Sequence, residues 1–236
     1  MRGDLYKEYF TAANLMGPNS IRLLDELLEA YPLRLASDQL VLDLGCGTGL
    51  TSLFAARETG ATVYANDLWI SAEDNRARFA QWGMADRLIP VHENAVNLHF
   101  EPEMFDAVVS IDSYHYFAGE EGFFAEKILP FVKRGGRVLI AVPGMKNVYG
   151  GRSEELTKPW LGDEAYMFKS ADQWRRIIGE HEDIAEVRTW EMDAFDVPWQ
   201  EWIATGNRFA MGDLEHYERI IKPYTAFVGI MVRKKG

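Results

Sequence analysis

Between residues 40 and 142, short apolar runs alternate five times with segments of helical pattern, and this restricts the fold more than any other feature of the chain. The runs are 40–44 (LVLDL), 61–66 (ATVYAN), 88–92 (LIPVH), 105–111 (FDAVVSI) and 137–142 (RVLIAV). Helical patterns fill the gaps: Leu50 to Thr59 closed by Gly60, Ser71 to Trp82 stopped at Gly83, and Phe123 to Val132 before Gly135-Gly136. Near-continuous apolar strands separated by helices belong to a parallel sheet covered on both faces, with right-handed crossovers. Two further strand patterns, 185–191 and 224–232, bring the expectation to a doubly wound, mostly parallel, seven-stranded α/β sheet with helices on both faces.

The flanks carry their own signals. Residues 19–31 place Ile21, Leu24, Leu27 and Leu28 at helical spacing behind Asn19 or Ser20 as N-cap, and Pro32 follows. Residues 145–168 read as a loop, and Ser170 with Gln173 resembles a capping box opening a helix through Ile178. Helices are expected around Trp199–Ala204 and Leu214–Ile221, within an insertion at 192–223 too long to be an ordinary connection. This second part of the chain is rich in aromatic residues, among them Trp160, Phe168, Trp199 and Trp202, and suggests a small helical, aromatic cap over a partly apolar ligand. The expected organisation is one domain over residues 1–236: an N-terminal helical lid (1–34), a ligand-binding core (35–144), and a cap with the last strands (145–236).

Composition narrows the setting. Cys46 is the one cysteine, so no intrachain disulfide can form. No apolar run reaches bilayer length, and the first ten residues mix charges with aromatics, so a cytoplasmic location is expected. A formal net charge of −11, with no basic cluster beyond the Arg233–Lys235 tail, weighs against nucleic acid and anionic membrane as partners.

The chemistry-bearing segment is Asp43-Leu44-Gly45-Cys46-Gly47-Thr48-Gly49, where a strand ends and a helix begins. Glycines there allow a tight turn and close backbone approach to a ligand. A dinucleotide loop needs its third glycine one place later, where this chain has Leu50, and the Gly-Lys-Ser/Thr ending of a P-loop is absent. The spacing D-x-G-x-G-x-G resembles that of class I S-adenosylmethionine-dependent methyltransferases. Similar matches follow in order: Asp67 at the end of the second strand, Glu93-Asn94-Ala95 to Phe100 after the third, Phe105 to Phe117 around the fourth, and Leu129 to Ile140 leading into the fifth. Together they cover roughly residues 35–144.

The resemblance implies a Rossmann-like fold, S-adenosylmethionine as cofactor and S-adenosylhomocysteine as product. It implies a cofactor-binding set of Asp43, Gly45, Cys46, Gly47, Gly49, Asp67 (for the ribose), Leu68 (against the adenine), Asn94 and Ala95 (at the adenine edge) and Asp112. Asn94 stands where the family has an aspartate. Trp69 reads as ordinary packing. The crevice between the first and fourth strands brings Asp112 to His115 opposite the glycine loop. His115 is there the candidate base, because an unperturbed imidazole titrates near neutrality, and Tyr114 is the candidate to orient an acceptor or face the sulfonium. Tyr6, Tyr9 and Phe10 are candidates to fold over the cofactor.

The remaining histidines show no metal-ligand spacing, so no metal is expected. The implied function is methyl transfer to nitrogen or oxygen of a small-molecule acceptor. The alternatives are a lipid-modifying relative of cyclopropane fatty acid synthases and a non-catalytic cofactor-binding module. A DNA amino-group enzyme is disfavoured, because the fourth strand ends in Asp112-Ser113-Tyr114-His115 and not in N-P-P-[YF]. Oligomeric state is not encoded in any feature of the chain.

Overall fold

The computed structural model describes residues 2–236. Seven strands form one sheet in the order β3-β2-β1-β4-β5-β7-β6. The strands are β1 (Leu40–Leu44), β2 (Thr62–Asn66), β3 (Leu88–Val91), β4 (Phe105–Ile111), β5 (Val132–Met145), β6 (Ile184–Glu191) and β7 (Thr225–Lys234). Pairing is parallel from β3 through β5, while β7 runs antiparallel to both β5 and β6. The Rossmann-like expectation therefore stands, with one antiparallel strand inserted near the edge.

Alternation along each buried strand feeds two cores. Val41, Val109 and Leu139 face one, whereas Leu42, Val108 and Ile140 face the other, as the period of two requires. The first core is covered by α1 (Ser20–Ala30), α2 (Leu50–Thr59), α3 (Ala72–Gln81) and the cap residues Trp199 and Trp202. The second is covered by Phe124, Ile128 and Leu129 and by Trp174 and Ile178. Asn19 caps α1, accepting a hydrogen bond from the Ile21 N–H at 3.1 Å.

Three boundaries differ from the sequence reading. The segment 145–168 is not a loop: it holds α4 (Ser153–Leu161) between short 3-10 turns. Gly150, Gly151 and Pro159 mask a helix whose first turn is favoured by Glu154 and Glu155. Residues Phe124–Ile128 form a wide i→i+5 turn that tightens to a 3-10 turn at Leu129–Phe131, so β5 begins at Val132. The strand β5 is long because nine of its residues, Arg137 to Met145, pair with β7. The capping box is present at α5 (Ala171–Ile178), with Ser170 and Gln173 bonding reciprocally. The insertion holds α6 (Asp196–Ala204) and α7 (Arg208–His216).

Candidate functional site

The strand order reverses at β1, whose neighbours are β2 and β4, and ligands of open α/β sheets bind where the carboxyl ends of such strands part. A cavity of about 520 Å³ opens there. Its floor is the glycine loop. Gly45, Gly47 and Gly49 have φ of 76°, 55° and 86°, in the left-handed region that side chains rarely adopt. A Cβ on Gly45 would lie 2.5 Å from the Ser113 side chain, and one on Gly47 would lie 2.9 Å from Met16 Sδ. The loop is stapled to β2, since the Asn66 carbonyl accepts the Gly45 and Cys46 N–H groups at 2.8 and 3.0 Å.

Asp67 locks this floor. One carboxylate oxygen accepts the Gly47 N–H at 2.7 Å, and the other accepts the Trp69 and Ile70 N–H groups at 2.7 and 2.8 Å. Three charge-assisted bonds from backbone hold the carboxylate at the cavity wall. Leu68 and Trp69 follow it along the wall, 51% and 66% exposed. Trp69 is thus a wall residue, expected from sequence as ordinary packing, and its ring lies against Tyr116 at 5.2 Å. On the far side the Asn94 amide oxygen accepts the Val96 N–H at 3.1 Å, closing an Asx turn that presents Ala95 to the cavity.

Four expected site residues lie elsewhere. Asp43 is fully buried behind the loop. One oxygen takes the Thr51 and Ser52 hydroxyls at 2.6 Å each, so it braces the first turn of α2 and lies outside this cavity's lining. Burial pushes its carboxyl up to about 6, against the pull of those hydroxyls. Gly49 is packed against the Phe79 ring. Tyr114 is 1% exposed, its ring in the second core against Trp174 and Phe117. His115 is 6% exposed and lies outside the cavity lining, and burial drives its imidazole down to about 3. A ring so reluctant to take a proton is a poor general base near neutral pH, which corrects the expectation for His115.

The fourth strand supplies Asp112, Ser113 and Tyr116 to the wall instead. Asp112 has φ of 58°, and burial together with the Asp213 carboxylate pushes its pKa up to about 8. The roof is the loop preceding α1, residues 14–18, which lies within the 1–34 segment expected as a lid but was not singled out there. The Thr48 hydroxyl donates to the Asn14 carbonyl at 2.5 Å, and a side chain at Gly17 would run into Asp112 Oδ2. The Gly17-Pro18-Asn19 break ahead of an amphipathic helix was the available signal. Tyr6, Tyr9 and Phe10 do not reach the cavity. Tyr6 packs on Phe54 and donates to Glu58, and Tyr9 packs on Trp82.

Above α1 the roof joins the cap. Arg22, 2% exposed, pairs with Glu201 of α6 at 2.6 Å and with Asp4 at 2.9 Å, while the Asn19 amide donates to Glu201 at 2.6 Å. Among the described residues, no group of three or more His, Cys, Asp or Glu side chains is placed to hold a metal ion.

Residues 41–136 match the family described as a methyltransferase domain. That stretch is therefore similar to a methyltransferase domain and holds the glycine loop and the parallel part of the sheet up to the start of β5. The chain is 27% identical over 172 residues to the sterol 4-C-methyltransferase of Caenorhabditis elegans, covering 66% of this chain and 50% of that protein. The chain spans about half the length of the curated relatives it matches. Among solved structures, phosphoethanolamine N-methyltransferase 2 of Haemonchus contortus superposes with a TM-score of 0.74 at 22% identity, covering 100% of this chain and 57% of that one. Geranyl diphosphate C-methyltransferase of Streptomyces coelicolor A3(2) gives 0.69 at 17% identity, covering 90% and 78%. These likenesses bear on the fold of the methyltransferase domain.

Proposed function

We propose that this chain is an enzyme that transfers the methyl group of S-adenosylmethionine to a nitrogen or oxygen atom of a small-molecule acceptor. The observation that supports it best is the meeting of the glycine floor, the Asp67 carboxylate and the Asx turn at Asn94 on one cavity at the β1/β4 switch point. These residues fit the cofactor. The side-chain-free backbone at Gly45 and Gly47 leaves room for its amino-acid portion, the Asp67 carboxylate has one lone pair left, on Oδ2, for a ribose hydroxyl, and Leu68, Ala95 and Val96 offer apolar surface to an adenine.

The cofactor would supply an electrophilic methyl group on a sulfonium. The chain's own task is then positioning and exclusion of water. The glycine floor and Asp67 fix one partner, the β4 end with Asp112, Ser113 and Tyr116 faces the other, and the roof loop of residues 14–18 covers both. We take residues 1–236 as one catalytic unit, with residues 1–34 and the helices of 192–223 as its cover, acting in the cytoplasm without nucleic acid or membrane. Among the described residues no helix is long and apolar enough to cross a membrane.

A second reading, transfer to carbon, is favoured by the likeness to sterol C-methyltransferases. Calorimetric titration with S-adenosylmethionine, S-adenosylhomocysteine and NADH, followed by assay of S-adenosylhomocysteine release, tests the proposal. Micromolar binding of the first two ligands alone, with turnover on an acceptor, is expected. Binding of NADH alone would overturn it, and cofactor binding without turnover on any amine, phenol, alcohol or sterol would leave a non-catalytic module.

A further inference from the structure

The acceptor side of the cavity has a charge arrangement with no internal explanation. Asp112 lines the wall at the end of β4, held in a left-handed conformation against Gly17. Burial and the neighbouring Asp213 carboxylate are the influences on its acidity, and both disfavour its charge. No N–H, hydroxyl or cation of the described residues offsets them. Asp213 cannot turn away: its two oxygens are taken by the indole N–H groups of Trp160 and Trp202, each at 2.9 Å. Among the described residues no lysine or arginine forms an ion pair with either carboxylate, and His216 is the one basic group that lowers Asp213. The Tyr116 hydroxyl feels Asp112, Glu164 and Asp213 together.

Aromatic rings surround this acidic region. Tyr116 lies 5.2 Å from Trp69 and 4.1 Å from His115, and Phe168 connects His115 at 6.3 Å to Trp160 at 5.4 Å. His115 is more than nine-tenths buried among these rings, and its Nδ1 has no partner. Since the imidazole is neutral there, it brings no cation to the carboxylates.

A wall carboxylate with no partner, a second carboxylate near it and ring faces at its edge are complementary to one class of ligand. We propose that the acceptor binds as an ammonium ion, its N–H groups held by Asp112 with Asp213 behind, and its alkyl flank against Tyr116 and Trp69. The inference rests on the methyl-transfer reading and narrows it to nitrogen. An acceptor carrying carboxylate or phosphate at this point is repelled, and a neutral alcohol leaves the Asp112 carboxylate without an opposite charge.

The chemistry balances. The ammonium ion gives one proton to the Asp112 carboxylate. The freed lone pair on nitrogen forms the new N–C bond as the C–S bond of the sulfonium breaks, and that bonding pair stays on sulfur. The product leaves as a methylated ammonium ion and the thioether S-adenosylhomocysteine, with the proton on Asp112 passing to solvent. Asp112, which the resemblance placed in the cofactor-binding set, is thus assigned to the acceptor as its catalytic residue, and Asp213 acts through it as a positioning residue.

The test uses the full chain and two isosteric pairs, butylamine with 1-butanol and 2-phenylethylamine with 2-phenylethanol, titrated at pH 7.5 into protein saturated with S-adenosylhomocysteine. Each amine is expected to bind at least about tenfold tighter than its alcohol, the margin of one charge-assisted hydrogen bond. In Asp112→Asn the margin is expected to collapse. In Asp213→Asn it is expected to shrink while S-adenosylhomocysteine affinity holds, which shows that the fold is intact. Equal binding of amine and alcohol, absence of binding by all four, or a margin that survives in Asp112→Asn overturns the inference. Failure of S-adenosylhomocysteine itself to bind overturns the methyl-transfer reading, so the two failures are separable.

Discussion

Gly49 and Gly60 bracket the same helix, α2, with φ of 86° and 79°, yet they face different surroundings. A Cβ on Gly60 meets nothing within 4 Å, whereas one on Gly49 collides with the Phe79 ring. Alanine at either site has to enter the left-handed region, at about 1–2 kcal/mol, and recovers about 0.4–1 kcal/mol by restricting the unfolded chain. Gly60→Ala should therefore cost about 1 kcal/mol. Gly49→Ala adds overpacking of about 1–3 kcal/mol, because Phe79 is fully buried and has Trp82 at 5.9 Å on one side. Its total should fall at about 2–4 kcal/mol, a large share of the ~5–15 kcal/mol that holds a typical domain together. Urea unfolding followed by circular dichroism measures both, with the slope m checked for constancy so that midpoints can be compared. The difference between the variants isolates the Phe79 contact from the backbone term. Equal costs would refute the close approach of the glycine loop to α3, and with it the account of why this loop has no side chain at Gly49.

Three further outcomes follow from the same geometry. Asp67→Asn should cost about 2–3 kcal/mol in urea unfolding, since its amide group has to face either the Gly47 N–H or the Trp69 and Ile70 N–H groups as a fellow donor; a variant as stable as the parent would remove Asp67 as the lock of the floor. For His115 the folded pKa, about 3, lies below the ordinary 6.5, so the unfolded chain takes up the proton first and stability falls as pH drops from about 6.5 towards 3. His115→Leu should show a flatter acid limb in thermal melts across that window, and an unchanged limb would place the imidazole in contact with water. Ser170→Ala breaks the capping box of α5 and should lower stability by about 1 kcal/mol at constant m; no loss would mean that α5 is held by Trp174 packing alone.

The sheet was legible because its strands are short, apolar and punctuated by glycine, and because each obeys a period of two on both faces. The positions of β1 and β4 needed no tertiary information. The region after Gly144 was opaque for the opposite reason. The α4 helix has one fully buried residue, Thr157, so its sequence carries little apolar periodicity and its Pro159 argues against a helix. At the site, the residues that touch the cavity through backbone or strand-end position were readable from the resemblance to the family's motifs: Gly45, Gly47, Asp67 and Asn94. Asp43 was misplaced because spacing along a strand does not say which face a side chain takes, and at this position it points behind the loop. His115 and Tyr114 were misplaced because the chain turns sharply after the left-handed Asp112, through a 3-10 turn at Tyr114–Tyr116, which sends those two rings inward and leaves Tyr116 outward. The Asn14–Pro18 roof has no chemistry in its composition, and only the return of the chain over Thr48 reveals its place.

Glu201 sits in the last turn of α6 and grips Arg22 and Asn19, at the start of the helix beneath the roof. Roof and cap are thereby tied into one cover, by this carboxylate together with Glu26 and Asn207. Under the proposed methyl transfer, acceptor entry and cofactor departure pass beneath the same cover, and their rates should slow or quicken together when Glu201 is neutralised, even though it lies outside the cavity wall.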